Sequence, residues 1–125
     1  MNLVDSSGWL EYFSDGPNAG FFAEPIRATK TLVVPTISIA EVFKRVLQQR
    51  NEGAALQATA LMQQGHVVDL DTVTAINAAK LGLALRLPLA DSVILATARL
   101  NKATLWTQDS DFEGIPGVQF KPRTT

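Results

Sequence analysis

Five acidic side chains, Asp5, Glu41, Asp91, Asp109 and Asp111, stand where short apolar runs of the chain give way to segments of helical period. Asp5 directly follows Asn2-Leu3-Val4. Glu41 is expected in the first turn of the helix after Leu32-Val33-Val34, Asp91 opens the helix after Pro88, and Asp109 and Asp111 follow Leu105-Trp106-Thr107. In a parallel sheet such places converge in space despite their separation along the chain. Two carboxylates about 5 Å apart repel by roughly 3 kcal/mol at an effective dielectric of 20, so four gathered together are costly as a purely structural device. A divalent cation reverses the sign. Oxygen donors without histidine or cysteine favour hard ions, magnesium first and manganese second, with calcium also accommodated. Such a centre suits phosphoryl chemistry, because the ion polarises a phosphodiester and lowers the pKa of water.

Each acid also has a local structural use. Asp5 can cap a helix beginning near Ser7, Asp91 can cap Ser92 to Leu100, Ser38 to Glu41 fits a capping box, and Asp109 to Asp111 can shape a turn. Capping and catalysis are compatible, since helix amino termini attract negative charge.

The elements that must position these groups follow from periodicity. Strands are expected at Asn2 to Val4, Leu32 to Val34, His66 to Leu70, Ala103 to Thr107 and Val118 to Phe120. Helices are expected over residues 7–13, 18–29, 38–50, 54–64, 72–86 and 91–100, with Gly53 as a left-handed stop between the middle pair and Pro88 as the later break. The order βααβααβααβ, with a further strand, predicts an α/β fold: a mostly parallel central sheet between two helical layers. Such sheets place their ligand site beyond the carboxyl ends of the strands.

Composition bounds the remainder. At 125 residues with 46% hydrophobic and 18% charged side chains, one domain, residues 1–125, is expected. The absence of cysteine and the single His66 exclude cysteine-ligated zinc, iron-sulfur clusters, thiol catalysis and multi-histidine metal sites. The opening Met1-Asn2-Leu3-Val4-Asp5 has no basic leader or apolar signal core, and no apolar run reaches membrane-spanning length. A cytoplasmic protein without a membrane partner is expected. The formal net charge of −1 provides no general positive field, so a polyanion must be held locally. Lys44 and Arg45, three and four residues beyond Glu41, share its helical face or margin, with Arg86, Arg99 and Lys102 as further phosphate candidates. A Ser-His hydrolase site from Ser6, Ser7 and His66 lacks the glycine pattern of a nucleophile elbow. Trp9, Tyr12, Phe13, Phe21 and Phe22 have the spacing of core or partner-groove residues rather than of a base-stacking platform.

The acidic motifs resemble those of the PIN-domain nucleases, and within them the VapC-type ribonuclease toxins of toxin-antitoxin pairs. The likeness spans nearly the whole chain: Leu3-Val4-Asp5-Ser6-Ser7, Ser38-Ile39-Ala40-Glu41-Val42-Phe43, Leu89-Ala90-Asp91-Ser92-Val93-Ile94, Thr107-Gln108-Asp109-Ser110-Asp111-Phe112 and Gly114-Ile115-Pro116-Gly117-Val118. The resemblance implies a magnesium- or manganese-dependent endoribonuclease that leaves 5′-phosphate and 3′-hydroxyl ends, forms a homodimer and is silenced by a cognate antitoxin. Carried over by position, it makes Asp5 and Asp91 the main metal ligands and gives Glu41 a role through water. Asp109 takes the variable fourth acidic position, with Asp111 a second candidate at the same edge. Thr107 matches a hydroxyl residue that supports the site, and Ser6 and Ser92 could assist. Two other readings keep the scaffold: a PIN-like module that binds RNA or protein without turnover, and a nuclease acting on DNA.

Overall fold

Residues 1–124 are described by a computed structural model. The order along the chain is β1 (Asn2–Val4), α1 (Ser6–Phe13), α2 (Ala19–Arg27), β2 (Leu32–Pro35), α3 (Thr36–Gln49), α4 (Glu52–Met62), β3 (His66–Val68), α5 (Thr72–Leu85), α6 (Leu89–Leu100), β4 (Thr104–Thr107) and β5 (Val118–Phe120), with single 3-10 turns at Thr29–Thr31 and Ser110–Phe112. The five strands pair in the order β3-β2-β1-β4-β5, and every pairing is parallel. The expected α/β architecture is therefore present.

Side-chain alternation divides the core between the two faces of the sheet. Val4, Leu32 and Val34 meet Trp9, Phe22, Val42, Ala55 and Met62 from α1 to α4. Leu3, Val33 and Leu105 point the other way, against Ile94, Leu95 and Ala98 of α6 and Phe112 of the second 3-10 turn. Helix α5 packs on α6 through Ala78 and Leu81. Strands β1 and β2 read as continuous apolar runs because both of their faces are covered. No single helix among the described residues is long and apolar enough to cross a membrane.

Four local expectations are corrected. The break between α3 and α4 falls at Arg50, and Asn51 caps α4 by accepting from the Ala54 amide at 2.8 Å, so Gly53 lies inside the helix. The chain instead ends α5 with a left-handed residue at Arg86 (φ 56°, ψ 47°). Helix α3 starts at Thr36 rather than Ser38, so Glu41 falls in its second turn and the Ser38 to Glu41 capping box does not form. Helix α6 starts at Leu89, which places Asp91 within its first turn rather than at the cap. The expected strand from His66 to Leu70 stops at Val68.

Candidate functional site

The chain leaves β1 on one side of the sheet and returns as β4 on the other side of β1, so the strand order reverses between these neighbours. Their carboxyl ends open the crevice in which α/β sheets place ligands. Asp5 closes β1 there and is only 3% exposed. Its Oδ1 accepts from the Gly8 amide at 2.9 Å and the Ser7 hydroxyl at 2.7 Å, and Oδ2 accepts from Thr107 Oγ1 at 2.7 Å. The capping role expected of Asp5 is thus filled, with the helix beginning at Ser6. A carboxylate has about four acceptor sites, so one lone pair of Oδ2 is still free for a cation or water.

Thr107 links two acids. Fully buried at the end of β4, it donates to Asp5 and accepts from the Asp109 amide at 2.9 Å. Asp109 then shapes the 3-10 turn, its Oδ1 accepting from the Asp111 amide at 2.9 Å. This turn and the first turn of α6 bring carboxylate oxygens of Asp91, Asp109 and Asp111 within 4.8 Å of one another. Across the crevice Ser6 Oγ donates to Glu41 Oε1 at 2.6 Å, fixing the carboxylate from α3 and leaving Oε2 unengaged by that bond. Ser92, by contrast, donates to the Pro88 carbonyl of its own helix at 2.9 Å.

Asp5, Glu41, Asp91 and Asp109 line one cleft of about 720 Å³, while Asp111 stands at its outer rim with an exposed side chain. The same cleft continues between α1, α3 and α4 over Leu10, Phe13, Val46 and Leu61. Of the basic residues expected to reach phosphate, Arg45 lines it; Lys44, Arg86, Arg99 and Lys102 do not. Arg50 and Arg123 do, and sequence spacing gave no signal for either. Arg50 caps the carboxyl end of α3, and Arg123 belongs to the segment after β5. His66 is exposed, with Nε2 3.1 Å from the Lys30 carbonyl, remote from the acids.

Charge accumulates at this edge. Burial, reinforced by the charge of Asp109, pushes the Asp5 carboxyl up to about 6 despite the bonds from Thr107, Ser7 and Gly8 that favour its ionised form. Burial first, then the negative charges of Asp109, Asp111 and Asp5 and a shared hydrogen bond with Asp111, push Asp91 up to about 7. Three clustered carboxylates, two strained carboxyls and no nitrogen or sulfur donor make a set that fits a hard divalent cation, which would relieve the repulsion.

Raised carboxyl pKa values mean that the folded protein binds these protons more tightly than the unfolded chain. Their stabilising effect is complete below pH 3.8, falls as pH rises and is lost above about pH 7. The buried Asp5 accounts for about 3 kcal/mol, and the half-exposed Asp91 adds less because water screens it. Asp71, held low chiefly by the Thr74 amide, stabilises the fold fully above pH 3.8 and loses that contribution only on further acidification, so it adds no slope in this window. Metal-free protein is therefore expected to melt at a higher temperature at pH 5 than at pH 8. A melting temperature that is flat or rising across this interval would refute the charge crowding.

Comparison with known proteins gives four concordant matches, one to a family model and three to solved structures. The PIN domain family model matches residues 3–118. Among solved structures, a toxin-antitoxin complex from Klebsiella pneumoniae superposes with a TM-score of 0.81 at 25% identity, covering 95% of this chain and 96% of that one. VapBC2 from Rickettsia felis, bound to a DNA fragment from its promoter, gives 0.75 at 16% identity over 97% of both chains. VapC20 of Mycobacterium tuberculosis, described as a sarcin-ricin loop cleaving toxin, gives 0.74 at 14% identity over 93% and 95%. No curated protein matches in sequence. With 116 consecutive residues matched, an all-parallel sheet and acids gathered at the carboxyl ends of β1 and β4, the chain belongs to the PIN domain family.

Proposed function

We propose that this chain is a magnesium- or manganese-dependent endoribonuclease, the toxin of a toxin-antitoxin pair, acting as one domain in the cytoplasm. The observation that carries the reading is the meeting of Asp5, Glu41, Asp91 and Asp109 in one cleft from four separate parts of the sequence. Asp91, Asp109 and Asp111, with the free lone pair of Asp5 Oδ2, would hold the ion. When bound, it supplies positive charge beside the scissile phosphate and lowers the pKa of water there. Glu41, steadied by Ser6, orients the attacking water in line with the 3′-oxygen and accepts its proton. Water oxygen bonds to phosphorus as the bond to the 3′-oxygen breaks and that oxygen takes a proton from solvent water, leaving 5′-phosphate and 3′-hydroxyl ends. Thr107 is a positioning residue that holds Asp5 and the Asp109 backbone in register.

The neighbouring toxin-antitoxin complexes support an antitoxin partner, and the apolar stretch of the cleft beside the acids suits a segment of such a protein. Exposed Leu83 (86%), Leu89 (77%), Val73 and Ile76 on α5 and α6 suit a homodimer.

Matched RNA and DNA stem-loops, incubated with the protein in magnesium or in chelator, test the reading. RNA cleavage in magnesium alone is expected. Binding of RNA without cleavage would favour a module lacking turnover, and equal cleavage of DNA would favour a DNA nuclease.

A further inference from the structure

The segment after β5 turns back to the acidic cleft, and two buried amides hold it there. The Lys121 amide donates to the Thr107 carbonyl at 3.0 Å, extending the β4–β5 ladder by one residue, while Lys121 Nζ lies 5.6 Å from the centre of the Phe21 ring. Pro122 has no amide proton to continue that ladder. Its carbonyl instead accepts from Asn18 Nδ2 at 3.0 Å. The same nitrogen donates to Gln108 Oε1 at 3.0 Å, and Gln108 Nε2 donates to the Ser7 carbonyl at 3.4 Å. Asn18 is 1% exposed and Gln108 3%. Burying two carboxamides is costly unless they are bonded, and these bonds tie the exit of β4, the start of α1 and the segment after β5 into one unit.

The next residue, Arg123, lines the cleft with Asp5, Asp91 and Asp109. Arg45 and Arg50 line it from α3 and its end. An acidic pocket in a chain of net charge −1 repels a polyanion unless cations stand close by. A planar guanidinium on an anchored backbone is suited to a phosphate, because little freedom is lost on binding.

We propose that Arg123 is a substrate-binding residue that grips an RNA phosphate beside the scissile one, and that Asn18 and Gln108 are its positioning residues, acting through the Pro122 carbonyl. This rests on the nuclease reading above and names the group that holds the RNA at that site. The competing role for Arg123 is to balance the acids of the cleft without touching RNA.

The test is the salt dependence of RNA binding between 50 and 200 mM, measured on a short RNA stem-loop in the slow-turnover Asp91→Asn background, together with single-turnover cleavage in the otherwise unmutated protein. Arg123→Ala, a change at an exposed position, is expected to weaken binding roughly tenfold at low salt and to flatten the log-log salt slope by about 0.7. In cleavage the half-saturating protein concentration rises by a similar factor, while the maximal rate stays within about twofold. Arg123→Lys keeps the slope and loses a few-fold in affinity, because the charge persists without the planar fork. Asn18→Ala moves affinity and slope in the direction of Arg123→Ala by about threefold, with circular dichroism confirming its fold. Wild-type affinity and slope in Arg123→Ala, or a changed melting temperature alone, would overturn the assignment and leave the nuclease reading standing. Failure of the unmutated chain to cleave RNA in magnesium would sink both.

Discussion

Asp91→Asn protein is expected to cleave RNA roughly a thousandfold more slowly than the unmutated chain in magnesium, at the scale of losing one preorganised electrostatic partner of a transition state. Asp91, in the first turn of α6, lines the cleft and contributes an oxygen to the cluster with Asp109 and Asp111. Asparagine has nearly the same shape, so the loss is one of charge rather than packing. Stability moves the other way. Burial and neighbouring acids disfavour the ionised form of Asp91, so at pH 8 the metal-free variant is expected to melt above the unmutated protein. Activity lost together with stability gained separates a functional acid from a helix-capping one, whose removal costs about 1 kcal/mol. Single-turnover cleavage and paired thermal melts at pH 8 check it; an unimpaired rate would remove Asp91 from the site.

Gly8→Ala is expected to destabilise the fold by about 2 kcal/mol, which lowers the melting temperature by roughly 8 °C in a domain of this size. A Cβ at Gly8 would lie 2.6 Å from Phe22 Cε1 and 2.6 Å from Val4 Cγ1. Both neighbours are fully buried, so neither has open space into which it can retreat. The helical preference for alanine over glycine returns about 1 kcal/mol and is outweighed by the overlap. The effect extends to the site, because the Gly8 amide is one of the donors that hold Asp5 Oδ1. Displacing α1 from β1 disturbs Asp5, and cleavage by the folded variant is expected to fall about tenfold. Chemical denaturation and cleavage assays on the same preparation measure both losses; unchanged midpoint and rate would show that α1 accommodates the methyl group.

The acids were legible because their positions relative to apolar runs carry topological information. Val4 followed by Asp5, and Trp106-Thr107 followed by Asp109, mark the carboxyl ends of two strands, and a parallel sheet places such ends side by side. The helix boundaries before Glu41 and around Gly53 differ from the sequence reading for a physical reason. The Ser38 to Glu41 spacing imitates a capping box, yet Thr36 already begins the helix and Ser38 is buried. Gly53 looked like a stop, but Asn51 does the capping and the turn is made at Arg50. Local signals compete at such points: burial of Ser38 settles the first, and the Asn51 cap bond settles the second.

The placement of Arg123 was not legible at all. Its approach depends on a bond between Asn18 and Pro122, 104 positions apart, and on a glutamine whose two partners, Asn18 and Ser7, lie in different segments. No periodicity or short spacing encodes contacts of that kind. The metal-facing choice between Asp109 and Asp111 is likewise a matter of turn geometry: Asp109 faces the cleft and Asp111 its rim, while both have an oxygen within the cluster.

Calorimetric titration of manganese into the metal-free chain near pH 6.5, repeated in buffers of different ionisation enthalpy, tests most directly whether these carboxylates form one cation site. Saturable binding is predicted, with release of about one proton from the crowded carboxyls, and Asp91→Asn should weaken it at least about tenfold. Binding that is absent, or equally strong in Asp91→Asn, would contradict the account.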